Sequence, residues 1–224
     1  MSVDVPELFD GAKPPEREQF VLNQGFTRDL GYCRGLLPDT RMWPAELDHL
    51  ATDNGRGRIA RRTLFEIAER ATTDTDPWAA IQLHAAIVFW GAPPGQSMVR
   101  AVRPFAEDAA AQRFTQALAL VRGEGAESAY KALSRRGRLW IANLGPSYFT
   151  KFLYFGGYGA KAYMPQPLIM DDNVISALKD VTKKPWEASA ADYMRYLDTA
   201  ADWAFEFNVA ADVIERRLFQ IGEE

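Results

Sequence analysis

Lys151 stands in an aromatic run, Ser147-Tyr-Phe-Thr-Lys151-Phe-Leu-Tyr-Phe155, and the carboxylates of Asp171 and Asp172 follow twenty residues later. A lysine among apolar neighbours loses hydration of its charged form, which favours the neutral amine. The positive end of a nearby helix dipole acts in the same direction. A neutral amine attacks carbonyl-like carbons, and a carboxylate beside it stabilises a developing cation or carries protons. The pattern therefore reads as a nucleophile with an acid–base partner. One aspartate must also cap the helix that starts there, which is compatible with chemistry because a cap immobilises the carboxylate.

Such residues need rigid elements to hold them. Apolar residues at helical spacing predict helices over 58–71, 108–122 and 127–135, with Asp76-Pro77 starting a further one over 78–90. The last of these is apolar on nearly every side, so it is expected at the centre. Trp78, Trp90 and Trp203 are assigned to the core. Residues 139–143 read as a short apolar helix end, 144–147 as a tight turn, and 148–155 as the helix that carries Lys151. A helix from Asp171 or Asp172 to Leu178 follows. Tyr193, Tyr196, Leu197, Ala200, Trp203, Ala204 and Phe207 mark another, and 211–221 the last. No segment shows sustained period-two alternation, so the expected fold class is all-α. Residues 1–18, with Pro6, Pro14 and Pro15, read as a weakly ordered arm, and 19–224 as one helical domain in two halves around a cleft.

Composition narrows the chemistry. The 224 residues suit one domain with a substantial core, and 47% hydrophobic and 25% charged content is ordinary for a globular protein. A lone Cys33 leaves no disulfide framework, iron–sulfur cluster or thiolate zinc site, and His49 and His84 stand in no ligand-like spacing. No metal or cofactor is expected. The polar, acidic start does not resemble a signal peptide. The most apolar run, 85–91, is far shorter than the ~20 residues that cross a bilayer. A cytoplasmic protein without membrane contact is the expectation. The net charge of −4 hides an asymmetry. Between Ser128 and Met170 there is no Asp or Glu, but there are Lys131, Arg135, Arg136, Arg138, Lys151 and Lys161. A basic face on an acidic body suits local phosphate binding, although a solvated basic helix end has the same composition.

A short helix end, a tight turn and a lysine-bearing helix form a helix–hairpin–helix shape, whose free backbone N–H groups suit a DNA phosphate. Here the chain resembles the helix–hairpin–helix DNA glycosylase superfamily, and most closely its 8-oxoguanine glycosylase branch in a minimal, helical form. That family carries a Leu-Pro-Gly-Val-Gly hairpin, a Thr-Lys pair, and then Pro-Val-Asp-x-His at the start of the next helix. Thr150-Lys151 matches the pair, and Leu168-Ile-Met-Asp171-Asp172-Asn173 matches the aspartate segment with Asp171 in register. Val213-Ile-Glu-Arg-Arg-Leu-Phe219 resembles the final helix of the family. The hairpin departs from the pattern, being longer by one residue and lacking the second glycine, and Asn173 stands where the family has His.

The resemblance implies a DNA glycosylase, with or without lyase activity, in which Lys151 attacks the sugar C1′ of an extruded nucleotide. Asp171, with Asp172 as the second candidate, would stabilise the sugar cation. Leu144, Gly145, Pro146, Ser147, Arg135, Arg136, Arg138 and Asn173 would hold the DNA backbone. Glu215, Phe219, Phe152 and Tyr154 would line the base pocket, Phe219 by stacking and Glu215 by reading a base edge that offers donors. The implied partner is double-stranded DNA with a damaged or modified base, engaged by a monomer, in repair or in defence against phage. Two other readings use the same residues: a non-catalytic helix–hairpin–helix DNA-binding protein, and a helical scaffold whose aromatic loop 155–163 docks a protein.

Overall fold

The computed structural model describes residues 5–160 and 164–224. Lys161 and Tyr163, which the sequence placed in the basic window and the aromatic loop, lie outside the described residues. The chain is helical, as its periodicity predicts, with one small sheet. Ten α-helices follow in order: α1 (Leu30–Gly35), α2 (Arg61–Thr73), α3 (Ala79–Gly91), α4 (Gln96–Ala101), α5 (Ala110–Gly123), α6 (Ala126–Leu133), α7 (Pro146–Gly157), α8 (Asp172–Thr182), α9 (Ala190–Phe207) and α10 (Ala211–Glu223). The strands β1 (Gly25–Asp29) and β2 (Arg56–Ala60) pair antiparallel, with Gly25 opposite Ala60 and Asp29 opposite Arg56. Arg58–Ala60, read as the start of a helix, therefore belongs to β2. Neither strand alternates apolar and polar residues cleanly, which is why periodicity misses them.

Helix α3 is the axis of the molecule. Ala79 to Trp90 is buried at every position but Gln82, and α2, α5 and α7 pack around it. A second group joins α8, α9 and α10. Gly222 lets α10 lie directly on the start of α8, because a Cβ there would strike the backbone of Asn173. This close approach brings the aspartates at the head of α8 beside the side chains of α10. The arm is docked here too: Leu8 and Phe9 are buried, Phe9 packs edge-on to Phe207 at 5.1 Å, and Arg217 Nε donates to Leu8 O at 2.6 Å. Apolar residues between prolines found a groove that local periodicity could not reveal.

The hairpin differs from its sequence reading. Residues 139–143 are not helical, and α6 ends at Leu133. Arg136 and Asn143 take positive φ, 73° and 64°, which a helix excludes. Gly137 sits against the carbonyls at the end of α6, and Leu139 N donates to Ala132 O at 2.9 Å, so the chain folds back on itself. The connection between α6 and α7 is thus a folded loop over 134–145, longer than the four-residue turn expected.

Candidate active site

Pro146 opens α7 with Gly145 at the cap, which places Lys151 in the second helical turn. Thr150, its neighbour, is tied to the approach of the aspartates: Met170 N donates to Thr150 Oγ1 at 3.1 Å, and Thr150 Oγ1 donates to Pro146 O at 2.7 Å. Tyr193 of α9 holds the same segment from the other side by donating to Leu168 O at 3.0 Å. Asp171 is then the N-cap of α8, accepting from Val174 N at 3.3 Å through Oδ1. Its second oxygen, Oδ2, receives Lys151 Nζ at 2.6 Å. Lys151 Nζ also donates to Ser147 O at 3.0 Å and lies 5.8 Å from the centre of the Tyr148 ring. Lys151 and Asp171 are each 8% exposed, so the pair is nearly enclosed but still touches solvent. Asp172 points to a different role: it is exposed in the first turn of α8 and makes no ion pair among the described residues.

The pair sits where two cavities meet. An open cleft of about 480 Å³ is lined by Arg28, Pro93, Pro94, Ser147, Tyr148, Asp172 and Asn173. A recess of about 60 Å³ lies deeper, walled by Gln24, Arg61, Trp90, Ile169 and Glu215. Phe26, Gly91, Lys151, Asp171 and Phe219 border both. The recess is much the smaller of the two spaces, and aromatic side chains stand where it meets the cleft. Phe26, on β1 and 39% exposed, and Phe219, half-buried on α10, are the residues there. Glu215 and Phe219 are four apart on α10, which puts both on the face toward the recess.

A second ion pair closes the inner end. Arg61 at the start of α2 forks onto Glu215, Nη1 to Oε2 at 2.6 Å and Nη2 to Oε1 at 3.1 Å, across 154 residues of sequence. Exposure is 1% for Arg61 and 0% for Glu215. Burial opposes the charge on Arg61, and the carboxylate of Glu215 outweighs it to hold the guanidinium cationic. Burial pushes the Glu215 carboxyl upward, and Arg61 partly offsets this. The two-bonded fork identifies the ionised form of the pair. Arg61 Nε donates further to Gln24 Oε1 at 3.1 Å. Arg28 braces the opposite wall through the carbonyls that end α3, donating to Phe89 O at 2.7 Å and Trp90 O at 2.9 Å.

Of the residues the sequence nominated, the fold brings Lys151, Asp171, Glu215 and Phe219 to one recess, and Asp172, Asn173 and Ser147 to the cleft outside it. Phe152 and Tyr154 do not line either space. Phe152 projects to the far side of α7, against His84 at 6.1 Å and Phe114 at 5.0 Å. Tyr154 is buried and donates to Asp212 Oδ2 at 2.9 Å, part of a network in which Arg17 Nε reaches both oxygens of Asp212 at 2.9 Å. Phe152, the next residue after Lys151, faces away from it by helical phase, whereas Tyr154 shares its side of α7 and packs behind the recess, its ring 5.4 Å from the Arg61 guanidinium. Leu144 is buried, so it anchors the loop. Arg135, Arg136 and Arg138 are exposed on the folded loop, with no ion pair among the described residues.

Sequence reasoning did not nominate Arg61, Gln24 or Phe26, and it assigned Trp90 to the core. Arg61 looked like the polar side of an amphipathic helix, and its partner lies in the last helix. Among the described residues no group of three or more His, Cys, Asp and Glu is arranged to hold a metal ion, and no helix is long and apolar enough to cross a membrane.

Comparison with known proteins gives a match at the level of family. A family model described as "Putative 8-oxoguanine DNA glycosylase OGG-like protein" matches residues 19–219. No curated protein and no solved structure gives a match.

Proposed function

This chain belongs to the family described as "Putative 8-oxoguanine DNA glycosylase OGG-like protein", and we propose that it excises a damaged or modified base from DNA through attack by Lys151. The observation that carries the reading is the 2.6 Å contact between Lys151 Nζ and Asp171 Oδ2 at the border of cleft and recess. A base buried in a duplex stack is out of reach of any side chain, so the nucleotide must be extruded into the cleft. The sugar would then lie against Lys151, with the base toward the recess.

In the resting protein the amine is paired. The short contact gives its extra proton a direct route to Asp171, leaving a neutral nucleophile. Nζ then bonds to C1′ while the N-glycosidic bond breaks, and the departing base keeps the bonding electrons and takes up the proton that Asp171 received, which returns Asp171 to its anionic form. Asp171 faces the positive charge that builds on the sugar as the base leaves. Opening of the sugar ring yields an imine between Nζ and C1′, and loss of a C2′ proton breaks the C3′–O bond and nicks the strand. The cap that Asp171 makes on α8 keeps its carboxylate from following the amine.

The DNA backbone is assigned to the loop and helix start before Lys151. No side chain caps α7; Pro146 has no N–H and Tyr148 N and Phe149 N donate to Gly145 O, which leaves the Ser147 amide for a phosphate, with Arg135, Arg136 and Arg138 exposed nearby in sequence. Asn173 would add an amide donor on the other rim of the cleft.

Borohydride reduces an imine to a stable amine and so tests the mechanism directly. A covalent protein–DNA adduct is expected with duplexes carrying a lesion base or a preformed abasic site, and Lys151→Ala should give none. Absence of an adduct across oxidised, deaminated and alkylated bases and the abasic duplex would refute lysine attack. Base release without an adduct would leave hydrolysis assisted by Asp171. Duplex binding unchanged in Lys151→Gln, with no base release by the natural protein, would select a non-catalytic DNA-binding protein.

A further inference from the structure

The recess is bordered by a residue whose donor no described residue satisfies. Trp90 lines it together with Lys151, Asp171, Arg61 and Glu215, and is 3% exposed. Its indole Nε1 is fully buried and has no hydrogen-bond partner among the described residues. Buried N–H groups are nearly always paired, and a Trp at a recess with an orphan donor asks what acceptor it is meant to meet. The ring is not free to turn away. Phe155 packs edge-on against it at 5.6 Å, the Arg61 guanidinium lies over it at 5.3 Å, and Phe26 covers it at 6.2 Å. Arg28 fixes the Trp90 backbone by donating to its carbonyl at 2.9 Å.

Its neighbours complete a reading surface. Gln24 spends its Oε1 on Arg61 Nε at 3.1 Å, which leaves the amide NH2 without a partner among the described residues. Both oxygens of Glu215 are held by Arg61, so the carboxylate cannot swing to accommodate different bases. A fixed donor, a free amide donor and an immobilised carboxylate belong to the residues around a space that meets the cleft at Phe26, Gly91, Lys151, Asp171 and Phe219.

We propose that Trp90 is a specificity-determining residue whose indole N–H donates to an acceptor atom, a ring carbonyl oxygen or bare ring nitrogen, on the extruded base. The inference rests on the reading of Lys151 as the nucleophile at the same site. A base without an acceptor at that position would leave the buried N–H unpaired and would be disfavoured.

The experiment separates the two ideas. The natural protein is labelled with 15N at its indoles, and the Trp90 signal is assigned by its loss in Trp90→Phe. Two uncleavable duplexes are added in turn, one bearing 2′-fluoro-8-oxoguanosine and one bearing a tetrahydrofuran abasic analogue. The expected result is a downfield shift of the Trp90 N–H with the base-bearing duplex and no such shift with the abasic one. A Trp90 signal that responds identically to both overturns the proposal. In parallel, the ratio of 8-oxoguanine release to borohydride trapping on preformed abasic DNA is measured for Trp90→Phe. Loss of one buried hydrogen bond should lower that ratio about tenfold, whereas damage to the fold lowers both rates together. An unchanged ratio also overturns the proposal. Failure of the natural protein to trap on abasic DNA refutes the lysine reading instead, and does so without reference to Trp90.

Discussion

The Lys151–Asp171 and Arg61–Glu215 pairs border the same recess, and each joins a cation to a carboxylate at 2.6 Å. Their surroundings differ. Arg61 and Glu215 are sealed, joined by two bonds, and tied into Gln24. Lys151 and Asp171 share one bond, touch solvent, and open onto a cleft of about 480 Å³. The cations differ as well, because a guanidinium keeps its proton in proteins whereas an ammonium can lose one. One pair is built to persist, and under the proposed mechanism the other is broken during the reaction. Proximity of charge therefore says little about role, and access together with the acidity of the cation says more.

The largest expected effect tests the breakable pair. Lys151→Arg preserves the positive charge and can keep an ion pair with Asp171, but offers no neutral amine. Borohydride trapping should vanish, and base release should fall by about 10³-fold or more, as for loss of a nucleophile elsewhere. Trapping by Lys151→Arg at a tenth of the natural rate would mean that charge, and not nucleophilicity, is what the site needs. The persistent pair should fail differently. Glu215→Ala leaves Arg61 buried and unpaired, a change that typically costs about 3–5 kcal/mol of stability. Replacing both members, as Arg61→Met with Glu215→Leu, should restore much of that loss. Urea denaturation of the two single variants and the double variant measures this, and equal stability of Glu215→Ala and the natural protein would remove the distinction drawn between the pairs.

The sequence exposes one of these pairs far better than the other. Lys151 and Asp171 are legible because their neighbours are local: an aromatic run, an acid-free window and a helix start lie within one stretch of chain. The α-helices around them are legible for the same reason, since helical periodicity is a local property. Arg61 and Glu215 are 154 residues apart and each fits its own helix as an ordinary polar residue. Only the docking of α10 across α8, permitted by Gly222, brings them together. The two strands and the folded loop before α7 escaped for a related reason. Their geometry comes from positive-φ positions and cross-chain pairing, neither of which leaves a period. Phe152 shows the opposite case, where closeness in sequence to Lys151 suggested the site and helical phase turned it toward Phe114, while Tyr154 shares the face of Lys151 but stops behind the recess against Arg61.

Asp171 sharpens the comparison because it caps α8 and, under the proposed mechanism, also takes part in the reaction. Asn caps helices about as well as Asp, so Asp171→Asn should keep α8 in place. It removes the charge that faces the sugar and the acceptor for the lysine proton. Base release should drop by about 10²-fold, the lower range for loss of an acid–base group, with a thermal midpoint close to that of the natural protein. Single-turnover base release and thermal unfolding check this, and a large fall in stability with unchanged chemistry would reassign Asp171 to the fold alone.

His84 provides the case of burial with no pairing, and the smallest effect. It is fully enclosed, stacked on Phe114 at 4.3 Å, and neither ring nitrogen has a partner among the described residues. Burial pushes its pKa down to about 3, against about 6.5 in an unfolded chain. Between those values the unfolded state binds one more proton than the folded state, so this group favours unfolding as the pH falls below about 6.5. The contribution to stability is complete above that value and is lost progressively toward pH 3. From pH 7 to pH 5 the loss is about 2 kcal/mol, and His84→Leu should remove this part of the pH dependence. Chemical denaturation of both proteins across that range measures the difference between their slopes. Identical slopes would mean that water or a rearranged core pairs the imidazole, and His84 would then join the ion pairs as a group that burial alone does not govern.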